Sequence, residues 1–312
     1  MKRNLFMLAV TIISCLSGVF VPEAAEPMAY APTISIVIQL LFCFLSTTEP
    51  SIPIPKQSLR ALPKYLLFKM FVVPLICWAV CRLIFPEFAL GALMVAGASM
   101  GVMGPFFAYL CGAEPFFVIG GVIASSFILP ISMPLLSALV LSFDGLSVDG
   151  LMSVCLGSAV FLALCMLVPF CTAKALWSKT PKITQGLLDH RFSITVVCVA
   201  AANFSIFSKF SEQLLGNLHT VADALLVCLL IMVVLITIAV AASYKYPRPE
   251  ALSRIIGISC VNCGIMVIVA AEFFSLPEML LCALYTLPLM SMGVPYELCR
   301  KWMISREAAA QA

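Results

Sequence analysis

From Met1 onward the chain alternates between long apolar runs and short polar punctuation. Ten runs stand out, at 4–22, 30–46, 65–86, 88–112, 115–142, 150–173, 192–208, 221–243, 252–273 and 276–294. Charge, proline or glycine bounds each of them. A helix that crosses a bilayer needs about 20 mostly apolar residues, and most of the runs reach that length; 30–46 and 192–208 are the shortest. The connectors are brief, so neighbouring helices must pack as hairpins. The pattern predicts an all-α, polytopic membrane protein with ten transmembrane helices.

Composition closes off the soluble classes. The chain is 62% hydrophobic and only 11% charged, where soluble domains sit near 25% charged. Mean hydropathy is +1.11. Ten spans and their loops use up the 312 residues, so function belongs inside or across the lipid bilayer, with no nucleic-acid partner. The 14 cysteines fall mostly within the apolar runs, which is the place of small buried hydrophobes and not of a secreted disulfide framework.

Charge placement orients the chain. With the N-terminus inside, the inner stretches carry Lys2, Arg3, Lys56, Arg60, Lys64, Lys69, Lys174, Lys179, Lys182, Arg191, Lys245, Arg248, Arg254, Arg300, Lys301 and Arg306, and the outer ones only Arg82 and Lys209, which accounts for all 18 Lys and Arg. Acids such as Glu23, Glu26, Glu87, Asp144, Asp149, Glu212 and Glu278 fall outside. This positive-inside split predicts a multi-pass protein of the cell inner membrane with both termini cytoplasmic. It also favours keeping the first helix, although Met1-Lys2-Arg3 followed by an apolar stretch resembles a signal peptide, and Ile12-Ile13-Ser14-Cys15 a lipoprotein cleavage site.

Ten spans divide into five and five, at 1–143 and 144–312. Five is odd, so the second set begins on the opposite face, as an inverted repeat requires. The fourth run of each half is interrupted. In the first, Gly91, Gly97, Gly101 and Gly104 lead into Pro105, which places a break at Gly101–Pro105. In the second, Gly257, Ser259, Cys260, Asn262, Cys263 and Gly264 cluster mid-run, and Asn262 is the one amide there. An unsatisfied backbone group in hydrocarbon costs several kcal/mol, so a broken helix needs protein or a water-filled cavity around it. There its N–H groups attract an anion and its freed carbonyls a cation. The plainer account of the same residues is kinking and close helix packing. The candidate substrate-binding residues are Gly104, Pro105, Phe106, Tyr109, Ser259, Asn262, Cys263 and Gly264, and their substrate a small or amphipathic organic anion.

The stretch GPFFAYLCGAEPFFVIGGVIASSFILPISMPLL, with Tyr109-Leu110, Glu114 and Pro130-x-x-x-Pro134, resembles the fourth and fifth helices of the bile acid:sodium symporter family. Asn262-Cys263-Gly264 is similar to that family's ninth-helix Asn-x-Gly motif, and Gly18 and Pro22 to the close of its first helix. The resemblance covers topology along the whole chain but motif residues only in these pieces, and it extends to the wider superfamily of auxin-efflux-like and arsenite-efflux carriers. It implies a panel unit of helices 1, 2, 6 and 7 and a core unit of helices 3–5 and 8–10. Helices 4 and 9 would cross at their breaks, and substrate would bind in the crevice between the units.

Several positions depart from the family's sodium-site pattern. A Ser-Asn pair at the fourth-helix break reads Gly104-Pro105 here, an early ninth-helix glutamate reads Gly257, a glutamine reads Val261, and fifth-helix hydroxyls fall at Val118 and Val122. A hard cation needs an oxygen cage. Ser259, Asn262 and loose carbonyls are the residual cation site, so whether sodium, a proton or no ion is coupled is not legible, and no other cofactor is expected. Proton coupling usually needs an ionisable group at membrane depth, and none lies near the middle of the fourth or ninth run; Glu114 and Glu272 sit toward their ends. Within transport, the alternative is a metalloid or soft-metal efflux carrier that uses the thiols of Cys260 and Cys263, with Cys111 in the fourth run. Outside it stand a non-transporting membrane sensor and an intramembrane enzyme; the latter lacks a buried histidine or acid pair. Oligomeric state is not legible.

Overall fold

A computed structural model describes residues 2–47, 56–143 and 148–311 and is almost wholly helical. Each apolar run forms helix. The first is α1 (Lys2–Phe20), the second α2 (Ala31–Thr47). The third is α3 (Lys56–Leu67), a π turn (Phe68–Val72) and α4 (Val73–Ile84). The fourth splits into α5 (Ala89–Gly97) and α6 (Gly104–Cys111). Next come α7 (Pro115–Phe143) and α8 (Val148–Lys179). A helix the apolar pattern does not predict, α9 (Pro181–Asp189), precedes α10 (Arg191–Lys209), and the short α11 (Ser211–Gly216) precedes α12 (Leu218–Ser243). The ninth run splits into α13 (Arg248–Ser259) and α14 (Cys263–Phe273), and the last is α15 (Leu276–Leu284), α16 (Thr286–Ser291) and α17 (Gly293–Gln311).

Among the described residues, five helices are long and apolar enough to cross a membrane alone: Arg60–Ile84, Pro115–Ser142, Ala159–Lys179, Arg191–Lys209 and Leu218–Ser243. Two bent pairs, Ala9–Phe20 with Pro22–Met28 at 105° and Leu276–Leu289 with Gly293–Glu307 at 53°, raise the number to seven. These are the helices of a membrane protein. The difference from ten has a physical cause. The breaks cut the fourth and ninth runs into pieces too short to span, and α2 is apolar over only Ala31–Leu45. The division between 143 and 144 falls at residues outside the described ones.

The third run is interrupted by the π turn at Phe68–Val72. Pro74 follows it, and a proline ring clashes with the carbonyl four residues back. The ladder relaxes accordingly, with the Val73 N–H donating to the carbonyl of Phe68. Lys69 lies in this turn and is turned into the protein, with no exposed surface.

Two groups of helices pack around the breaks. On one side α10 lies against both α1 and α2, and α2 against α8. The α1–α10 contact is a close backbone approach: a Cβ on Gly18 would lie 2.4 Å from the carbonyl oxygen of Phe204. On the other side α5 packs on α4, α7 and α15, and α13 on α12, α7 and α17.

Candidate solute site at the crossed helix breaks

After α5 the chain extends at Ala98 (φ −53°, ψ 152°), and after α13 at Cys260 (φ −85°, ψ 94°). The two extended stretches meet. Met100 and Val261 form an antiparallel β-bridge. The Gly101 N–H donates to the Cys260 carbonyl at 2.6 Å, and the Asn262 N–H to the Ser99 carbonyl at 2.9 Å. The Met100 N–H donates to Ser125 Oγ of α7 at 2.9 Å. Each broken helix thus satisfies the other's freed backbone, which is how non-helical chain survives in an apolar interior. Gly101 is required by the closeness of the approach, since a Cβ there would stand 3.0 Å from the Val261 carbonyl oxygen and 2.9 Å from Cys260 Sγ.

The first break lies earlier than the glycine-proline cluster implies. It covers 98–103, whereas Gly104 and Pro105 open α6. The N–H that proline lacks is one a helix start does not use, so Pro105 begins a helix here.

A cavity of about 90 Å³ lies between the crossing and the first helix group. Thr11 of α1, Ile36 and Gln39 of α2, and Thr195, Asn203 and Phe207 of α10 line one wall. Gly101, Val102, Met103, Asn262, Cys263 and Gly264 line the other, with Thr286 beside them. Among the described residues, no Asp, Glu, Lys, Arg or His takes part in the lining. Polarity comes instead from amides and hydroxyls. Asn203 is 6% exposed, and among the described residues its Nδ2 has no hydrogen-bond partner. Asn262 precedes α14, but its side chain does not cap that helix. The first N–H groups of a helix have no intrahelical partner, and those of α14 start at the cavity wall. A buried donor without a partner costs about 1–3 kcal/mol, which an acceptor-bearing solute would recover.

The residues singled out from sequence divide. Asn262, Cys263 and Gly264 line the cavity; Gly104, Pro105, Tyr109 and Ser259 do not. Gly104 is buried in helix packing, where a Cβ would lie 2.9 Å from Val118 Cγ1. Pro105 is half-buried. Tyr109 is 82% exposed and faces away. Ser259 is fully buried, with its hydroxyl on the Ile255 carbonyl at 2.6 Å and the Tyr296 hydroxyl at 3.0 Å. Of the residual cation pair, Ser259 is engaged with Ile255 and Tyr296 whereas Asn262 lines the cavity. The side chain of Phe106, like that of Glu272, lies outside the described residues. Cys260 and Cys263 both reach the cavity wall. Among the described residues no group of three or more His, Cys, Asp or Glu gathers to hold a metal.

The opposite wall is what sequence reasoning missed. Gln39 and Asn203 are the lone amides of their runs, and that was the available signal. Two cations of the inner stretches are buried. Arg254 is 8% exposed, paired with Glu250 at 2.8 Å and stacked 3.8 Å from the Tyr246 ring centroid. Lys69 Nζ donates to the carbonyl of Ala96 at 3.3 Å and to that of Ala98. Both lie within a helix and not at its end, Lys69 in the π turn after α3 and Arg254 in the second turn of α13.

Neither known protein families nor characterised proteins give a match to this chain.

Proposed function

We propose that the protein is a secondary transporter that carries a small or amphipathic organic anion across the cell inner membrane by alternating access. The observation that carries this reading is the cavity between the crossed breaks and α1, α2 and α10, with the orphaned Asn203 donor in its wall. Amide and hydroxyl groups, together with the start of α14, favour a carboxylate or similar acceptor, and Ile36, Phe207 and Met103 favour an apolar body behind it. In this reading α1, α2, α8 and α10 act as the panel, and α3–α7 with α12–α17 as the core. Ten spans would form two inverted sets of five, with both termini cytoplasmic. Rocking of core against panel would expose the cavity to each side in turn. The resemblance to the bile acid:sodium symporter family supports the same arrangement.

The test is uptake into vesicles that hold the purified protein. A short carboxylate (pyruvate) and an amphipathic one (decanoate) are compared with their uncharged amides. Saturable uptake of at least one carboxylate, absent from empty vesicles, is expected. Equal slow leakage of all four into loaded and empty vesicles would remove the carrier reading.

A further inference from the structure

A lysine with no exposed surface stands at the end of the broken helix, and nothing in the solute cavity uses it. The last carbonyls of a helix have no intrahelical partner and carry the negative end of its dipole. At the end of α5 the Ala98 N–H returns to Met94 and Val95. The Ala96 and Ala98 carbonyls are taken by the Lys69 ammonium. Among the described residues no carboxylate pairs with Lys69. Its charge is balanced by backbone carbonyls alone, in the role that a bound cation plays at a broken helix.

The titratable groups facing the ammonium are few. Cys77 of α4 and Cys260 at the end of α13 are its charged-state neighbours. The other packing helices, α5 and α7, contain no ionisable residue at all. Tyr65, one turn earlier in α3, gives its hydroxyl to the Arg254 carbonyl at 3.0 Å. Cys260 also lines the solute cavity, so one residue both interacts electrostatically with the lysine and borders the cavity. Lysine, unlike arginine, gives up its proton readily when desolvated.

We propose that Lys69 is the ion-coupling site of this carrier, and that the coupled ion is a proton held there as the ammonium. This rests on the carrier reading. Protonated, Lys69 ties the α5 end to the π turn through two carbonyls. On release, the N–H bond breaks, its electron pair stays on nitrogen, and the proton passes to a water molecule at the cavity wall beside Cys260. The neutral amine holds the carbonyls less strongly, and the α5 end is free to shift against α4. A proton from water on the other side restores the ammonium. An anion in the cavity favours the charged form by Coulomb attraction, so proton and anion travel together. No free metal cation is needed at the crossing.

The experiment uses the full-length protein in vesicles on a solid-supported membrane, where a buffer step reports charge movement without added solute. In choline medium, a step from neutral to mildly alkaline buffer should displace charge in the wild-type protein. A step from choline to sodium at constant pH should displace none. Lys69→Arg keeps a cation on the carbonyls but holds its proton, and it should remain folded while losing the pH-step signal; Lys69→Met should lose it too. A wild-type protein silent to the pH step, a sodium-step signal, or a folded Lys69→Arg with the wild-type pH signal would each overturn the proposal. Carboxylate uptake without a pH-step signal would remove the proton site and leave the carrier. A pH-step signal dependent on Lys69 without any uptake would remove the carrier and leave the proton site.

Discussion

Met100 and Val261 face one another as an antiparallel β-bridge between two helix ends. The pair is held from both flanks, by Gly101 on Cys260 and by Asn262 on Ser99, and its surroundings are tight. A Cβ on Gly257 would stand 2.6 Å from Met100 Cε and 2.2 Å from the Tyr65 hydroxyl. Gly257→Ala is therefore expected to destabilise the protein by about 1–3 kcal/mol through overpacking. Its melting temperature in detergent should fall below that of wild type; an unchanged melt would mean that the crossing is looser than these distances imply.

Asn203 lines the cavity and, among the described residues, its buried Nδ2 has no hydrogen-bond partner. Asn203→Leu removes that donor and fills space. Carboxylate uptake should drop at least tenfold, while stability holds or rises because an unsatisfied polar group has gone. Wild-type uptake in this variant would show that the amide takes no part in binding.

Tyr109 offers the converse control. It belongs to the stretch that resembles the symporter family, yet it is 82% exposed. Uptake by Tyr109→Ala is expected to equal that of wild type. A large loss would place the solute on the outer face of α6 and away from the cavity.

The two thiols at the cavity wall separate the anion and soft-metal readings. Neither is gathered with a third ligand among the described residues. The double variant Cys260→Ser, Cys263→Ser should keep carboxylate uptake within about threefold of wild type, as expected when buried hydroxyls replace thiols of similar size. Abolished uptake, together with metalloid-dependent transport in the wild type, would favour the thiol mechanism.

Much of this architecture was legible because it is written in local chemistry. Runs of apolar residues must become helices in lipid, and every run did. Asn262-Cys263-Gly264 announced the second break at the right residues, since glycine beside a lone amide has few other uses mid-span. The first break was misplaced by three residues because Pro105 reads alike as a helix breaker and a helix starter. The α10 and α2 wall was not legible, since which lone amide faces which break depends on long-range packing. Lys69 was hidden for a related reason. It lies nine positions after Arg60 in the same helical stretch, and only the π turn before Pro74 shows which way it points.

Solute binding is placed where the two broken helices cross, and Asn262 lies in the second break, donates its N–H beside the Met100–Val261 bridge and lines the cavity. The most direct measurement compares the initial rate of carboxylate uptake by wild type and Asn262→Leu, in vesicles matched for inserted, monodisperse protein. Saturable uptake is expected for wild type and a rate at the empty-vesicle level for the variant, with insertion unchanged. Equal uptake by the two proteins would contradict this expectation and place the site elsewhere.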